Sequence, residues 1–234
     1  STFMSLQSER AGFYFRYRDF KVRDLSAFLA NYAVYDLGQP ALFLGRTAWQ
    51  FEIRTKHLES PVHYQLTLDV DTGLLLRSVE LGDSGQVYAR LEYETFELNP
   101  DLTGMSFHQV SNEEAPATLG PALDLKLGFE VSVPTLLPTG YTLSEASTLV
   151  DAFGGDWLKL TYTDGVESLF FVQSRAVQPA TGVKLSPTTS VNFGTPQADK
   201  VHWMQVGPIV AVQGELEGLT RLAVGKVPKE ALFD

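Results

Sequence analysis

The chain has 234 residues, of which 44% are hydrophobic, 20% charged and 12% aromatic, a globular composition that argues against a disordered tail and favours strands. Its formal net charge is −10, from 28 acidic and 18 basic residues, so no nucleic acid is expected as a partner, because a phosphate backbone needs a basic surface. Cysteine is absent, which removes disulfides, thiolate nucleophiles and cysteine zinc sites together, and no apolar run reaches the roughly 18 residues of a membrane-spanning helix.

Ser1 to Arg10 carry no apolar signal core, so either the chain is cytoplasmic or a targeting segment has been removed. Phe13, Phe15 and Tyr17 alternate with Tyr14, Arg16 and Arg18, the period of a strand with one basic face. Leu25, Phe28, Leu29 and Tyr32 recur at helical spacing behind Asp24, a residue suited to cap a helix, and Gly38 and Pro40 are expected to end it. From Ala41 the period becomes two. Trp49, Phe51 and Ile53 alternate with Gln50, Glu52 and Arg54, and Tyr64, Leu66, Leu68 and Val70 alternate with polar residues. Turns at Asp71-Thr72-Gly73 and Gly82-Asp83-Ser84-Gly85 bound further strands at Leu75 to Leu81 and Val87 to Phe96. These segments predict an antiparallel meander with one apolar face.

Residues 99 to 122 lose this periodicity, and the turn and linker signals at Asn112 to Ala117 and Leu119-Gly120-Pro121 place a domain boundary near 112 to 124. Strand signals resume at Phe129 to Val133, Tyr141 to Leu149, Trp157 to Tyr162, Ser168 to Ser174, Val201 to Gln205 and Val210 to Gln213. Residues 176 to 199 read as a long exposed connection, and Leu216, Leu219, Leu222 and Ala223 as a short closing helix. The fold class is therefore mostly β (α+β), with domains at 1–115 and 124–234.

The reactive motifs have plainer explanations. Gly82-Asp83-Ser84-Gly85 copies the tetrapeptide around a serine-protease nucleophile, but only His57 and His63 precede it, and turn chemistry favours the same residues. Asp69-Val70-Asp71-Thr72-Gly73 with Glu80 copies part of a calcium loop, yet Leu74 stands where that loop needs glycine. His57, His63, His108 and His202 show no ligand spacing, and Glu92 and Glu94 are expected to face solvent. No reaction centre assembles, so the expectation is a protein that is not an enzyme, with no metal, no cofactor and no catalytic residue.

Two sets of residues carry a resemblance. Leu29-Ala30-Asn31-Tyr32, Gly45-Arg46-Thr47-Ala48, Tyr64 to Asp69 and Thr72 to Arg77 form the first. Val133 to Tyr141, Leu160 to Gly165, Leu169 to Val172 and Val201 to Val212 form the second. In order and spacing they resemble the MucB/RseB family of periplasmic regulators of the sigma-E envelope-stress response. Fewer residues precede the Asn-Tyr pair here, which implies a shortened N-terminal domain.

The resemblance implies an N-terminal domain like the lipoprotein carriers LolA and LolB, a curved antiparallel half-barrel with an apolar concavity, followed by a smaller β-rich C-terminal domain. It implies a periplasmic location, with the signal segment absent from this chain. It also implies that the protein binds the periplasmic region of an anti-sigma factor, with release by lipid or misfolded protein. A curved sheet must bury its apolar face, and Trp49, Phe51, Ile53, Tyr64, Leu66, Leu68, Leu91 and Tyr93 exceed what one short helix covers. They are the candidate lining of a cleft for lipid or lipoprotein acyl chains. The alternative is a lipid or lipoprotein carrier without a regulatory partner.

Overall fold

The computed structural model describes residues 20–57, 62–82, 84–101, 103–105, 115–150, 155–175, 201–206 and 208–232. The strand expected at 13–17 and the connection expected at 176–199 lie outside them. The chain divides into two compact units, the first Tyr32–Lys56 with Val62–Glu113, the second Ser1–Asn31 with His57–Pro61 and Glu114–Asp234.

The first unit holds strands β1 (Tyr32–Asp36), β2 (Ala41–Phe43), β3 (Arg46–Thr55), β4 (Val62–Asp69), β5 (Leu75–Gly82) and β6 (Val87–Glu92). They form one open sheet in the order β1-β3-β4-β5-β6, with β2 also paired to β3. Every pairing is antiparallel. The expected meander is therefore present from β3 to β6, each neighbour in sequence being a neighbour in space. Its middle is buried on both faces, with Ile53, Tyr64 and Leu66 on one side and Ala48 and Val79 on the other.

The second unit holds α1 (Leu25–Asn31), β7 (Ala115–Pro116), α2 (Pro121–Leu127), β8 (Thr142–Val150), β9 (Asp156–Thr163), β10 (Ser168–Arg175), β11 (His202–Val206), β12 (Ile209–Leu216), β13 (Leu219–Gly225) and a 3-10 turn at Lys229–Leu232. The sheet order is β11-β12-β13-β10-β9-β8-β7, again antiparallel throughout. Alternate residues of β9 feed two cores. Leu158, Leu160 and Tyr162 pack with Leu123 and Leu127 of α2, while Trp157 packs with Phe170, Val172, Leu222 and Val224. Both faces of this strand are thus sealed, which is why it reads as an almost unbroken apolar run. Leu160 has no exposed surface. Leu160→Ala should lower the unfolding free energy by about 2–5 kcal/mol, read from the urea midpoint of this unit, because the sheet on either side holds the cavity open.

Several local expectations are corrected. The first helix ends at Asn31, and Tyr32-Ala33-Val34-Tyr35 turns straight into β1 well before Gly38 and Pro40, as aromatic and β-branched residues favour. Asp24 does cap it, its Oδ1 accepting the Ala27 N–H at 2.9 Å. The buried side is Phe28 with Asn31, while Leu25 and Leu29 are largely exposed. Phe129 to Val133 is not a strand, because side chains take its backbone groups: Asp124 Oδ1 accepts from Val131 N–H and Gln173 Oε1 from Ser132 N–H, each at 3.0 Å. Within the aperiodic stretch, Gly120-Pro121 starts α2, with proline at the position where a missing N–H costs nothing. The closing helix expected at Leu216 to Ala223 is a hairpin. Glu217 and Gly218 have φ of 53° and 74° between the paired Leu216 and Leu219, the left-handed pair that a two-residue strand turn requires.

Candidate functional site

The candidate lining residues share one face of the first sheet. Trp49 lies opposite Leu68, Phe51 opposite Leu66 and Ile53 opposite Tyr64. Leu66 lies opposite Ser78, and Ser78 opposite Leu91, so the same face continues across β5 to the edge strand, and Tyr93 follows two residues later. Burial grades across it. Ile53, Tyr64 and Leu66 are nearly inaccessible, Trp49, Phe51 and Leu68 are half-buried, and Leu91 and Tyr93 are 43% and 47% exposed. The face is not wholly apolar. Ser78 and Glu80 lie on it, both buried, opposite Leu66 and Tyr64. The sequence concealed them because β5 alternates Leu76, Ser78 and Glu80 with Arg77, Val79 and Leu81, and neither set is uniformly apolar.

One end of this sheet is pinned by charge. Arg46, which starts β3, donates from Nε to Asp69 Oδ2 at 2.5 Å and from Nη2 to Asp69 Oδ1 at 3.0 Å. Asp69 ends β4 and has 1% of its surface exposed. Its Oδ1 also accepts the Thr72 N–H at 2.8 Å and the Thr72 hydroxyl at 2.7 Å, closing the turn that Gly73 completes with its N–H on the Asp69 carbonyl. The Arg46 guanidinium lies 5.4 Å from the Phe96 ring centre. Hydrogen bonds from Arg46, then from Thr72, outweigh desolvation and hold the Asp69 carboxyl well below the usual carboxylate range. A depressed carboxyl stabilises the fold above its unfolded-state value of about 4 and loses that stabilisation as pH falls below it. Arg46→Met should therefore destabilise at neutral pH, and its difference from the parent protein should shrink in acid titrations below pH about 4. A difference constant from neutral pH to acid would contradict this.

The second unit contains a matching junction. Asn31, at the end of α1, donates from Nδ2 to the Gly140 carbonyl at 3.0 Å and the Asp164 carbonyl at 2.9 Å. With that amide so oriented, Asn31 Oδ1 accepts from His57 Nε2 at 2.9 Å. The turn between β9 and β10 is internally closed: Asp164 Oδ1 accepts the N–H groups of Val166 and Glu167, and Thr163 Oγ1 accepts the Gly165 N–H and donates to the Glu167 carbonyl. Behind it Glu167 and Lys226 form a buried ion pair at 3.0 Å. The Gly165 carbonyl takes the Arg23 and Asp24 N–H groups just ahead of α1.

The residues considered for chemistry are engaged elsewhere. Ser84 donates to Gln86 Oε1 within a tight turn closed by Gly85 N–H on the Gly82 carbonyl. His63 Nε2 is 3.4 Å from Glu52, and His57 belongs to the Asn31 junction. Glu92 and Glu94 are exposed. Among the described residues no acidic and histidine cluster could hold a metal ion, and no helix is long and apolar enough to cross a membrane.

No family model matches the chain, and no curated protein does. Solved structures do. A crystal structure of MucB in complex with MucA(peri) aligns with a TM-score of 0.57 at 19% identity, covering 90% of this chain and 68% of that one. The Pseudomonas aeruginosa MucA/MucB complex gives 0.57 at 20% identity, covering 91% and 66%. The fold is that of MucB. A crystal structure of MucB alone aligns at 0.50, covering 92% of this chain and 64% of that one. The chain thus spans about two thirds of the length of the MucB chains it matches. The motif positions that carried the MucB/RseB resemblance are the ones that interlock: Arg46 with Asp69 and Thr72, and Asn31 with Gly140 and Asp164.

Proposed function

We propose that this chain is a binding protein of the MucB type: a periplasmic regulator that holds the extracytoplasmic part of an anti-sigma factor and catalyses no reaction. The observation that carries the reading is the alignment over nine tenths of the chain with MucB in complex with MucA(peri). At this identity the likeness is one of fold, so the partner is a proposal in its own right. The domain division read from the sequence, 1–115 and 124–234, is kept here as a proposal for the boundary near 114 alone, since α1 groups with the second unit. Isothermal titration of the whole chain with the periplasmic region of an anti-sigma factor encoded beside its sigma factor should give saturable one-site binding. Heats no larger than dilution at every concentration would end the proposal.

The face formed by Trp49, Phe51, Ile53, Tyr64, Leu66, Leu68, Leu91 and Tyr93 is proposed to receive acyl chains of a lipid or lipoprotein. Its gradient of burial supports this, since an apolar surface that is closed at one side and open at the other suits a chain entering from the edge. Leu91→Asp should weaken binding of a fluorescent fatty-acid probe by tenfold or more while leaving far-ultraviolet circular dichroism unchanged. The carrier reading shares this face and differs in the partner: acyl uptake with no effect on anti-sigma binding would favour it.

A further inference from the structure

The hairpin between β2 and β3 turns on a residue that its geometry disfavours. Leu44 and Gly45 span the Phe43–Arg46 pair with φ of 50° and 74°, the left-handed pair of a two-residue strand turn. Such a turn favours asparagine or aspartate before its glycine, because a bulky side chain at positive φ crowds its own backbone. The equivalent turn at Glu217-Gly218 puts a charged residue in that place, and the third non-glycine residue with positive φ among those described is Asn99. Leu44 thus combines a strained backbone with an apolar side chain left in water, and neither helps the chain to fold.

The residues around it are of the same kind. From Leu37 to Gly45 the chain carries no charge, although 20% of its residues are charged overall. Leu37, Leu42 and Leu44 are 48%, 78% and 39% exposed. They lie along one stretch of β3: the Leu37 N–H donates to the Gln50 carbonyl, Leu42 is opposite Thr47, and Leu44 follows Phe43, which is opposite Arg46. On the other side of β3 the β4–β5 turn leaves Val70 and Leu74 exposed, with the Val70 N–H on the Thr47 carbonyl. The carboxylates of that turn, Asp69 and Asp71, are both held by the Arg46 guanidinium.

We infer that this hairpin tip seats in the interface of a lipid bilayer with zwitterionic headgroups. Charge and area select that occupant. The tip is uncharged and the chain carries −10, so an anionic surface repels the molecule and a zwitterionic one does not. Three leucines around one tight turn offer far less than the roughly 800 Å² that each partner of a stable protein interface buries. An interfacial anchor needs only a few apolar side chains and no matching shape. The seat is shallow and reversible. It is made with an intact bilayer, and it requires neither the acyl-lining face nor the anti-sigma partner proposed above.

The test uses the whole chain and vesicles of pure phosphatidylcholine. The protein should float with them on a density gradient, and added salt should leave the bound fraction unchanged, because no charge carries the contact. Leu42→Ser and Leu44→Asn should each weaken vesicle binding by about tenfold. Leu44→Asn also separates the contact from folding: asparagine accepts positive φ, so its denaturant midpoint should equal or exceed that of the parent. Leu125→Ser, which removes an 85% exposed leucine from α2, should bind vesicles as the parent does. Protein that never floats, binding that survives both tip substitutions, an equal loss in Leu125→Ser, or binding that appears only with phosphatidylglycerol and vanishes in salt would each overturn the inference. So would a parent that ignores vesicles while Leu42→Ser weakens the anti-sigma titration, since the tip would then meet a protein.

Discussion

Gly165→Ala should be among the most damaging single substitutions in this protein, costing about 3 kcal/mol or more in denaturant unfolding. Two effects act together. Gly165 has a φ of 108°, a conformation that side-chain-bearing residues rarely adopt. A Cβ there would also stand 2.3 Å from the backbone nitrogen of Phe28 and 2.6 Å from its Cα, so the obstruction is main chain and cannot swing aside. To admit the methyl group, α1 must move off the β9–β10 turn, which breaks the bonds from Arg23 and Asp24 to the Gly165 carbonyl. A variant that unfolds at the parental denaturant midpoint would show that the helix does not rest on this turn.

Asn31→Leu is expected to cost about 3 kcal/mol, the sum of hydrogen bonds lost and carbonyls stranded. Leucine matches asparagine in size, so the change isolates polarity. It leaves the Gly140 and Asp164 carbonyls without their amide donor and removes the acceptor facing His57. Asn31 is 7% exposed, so water replaces these partners poorly. Asn31→Asp makes the complementary measurement. It keeps the acceptor toward His57 but sets a carboxylate against two carbonyls, and it should be at least as unstable as Asn31→Leu at neutral pH. Equal stability of Asn31→Asp and the parent would mean that the amide donors contribute nothing.

Much of the first sheet was readable from its residues, since β3, β4 and β6 obey an alternation that only one face of a strand satisfies. The same rule failed at Leu216, Leu219 and Leu222, where spacing by three fits a helix and fits equally a hairpin whose two-residue turn separates paired leucines. Seven residues were too few for α2 to show a period, and its start signals, Gly120 and Pro121, are also turn signals. For the candidate face, placement was legible and composition was not. Ser78 and Glu80 entered it through β5, which is buried on both sides and so lacks a polar phase. The two hydrogen-bonded junctions were visible only as motif residues. Nothing in the local sequence says that an asparagine at 31 will meet a carbonyl 133 positions later.

That separation has a consequence for how the molecule is made. α1 has seven residues, too short to persist in water without tertiary support. The groups that hold it, Gly140, Asp164 and Gly165, leave the ribosome long after it does. The early helix must wait, with Phe28 bare, until the β9–β10 hairpin has been synthesised. Growth of the nascent polypeptide therefore leaves this segment exposed to chaperones until the hairpin that holds it has formed.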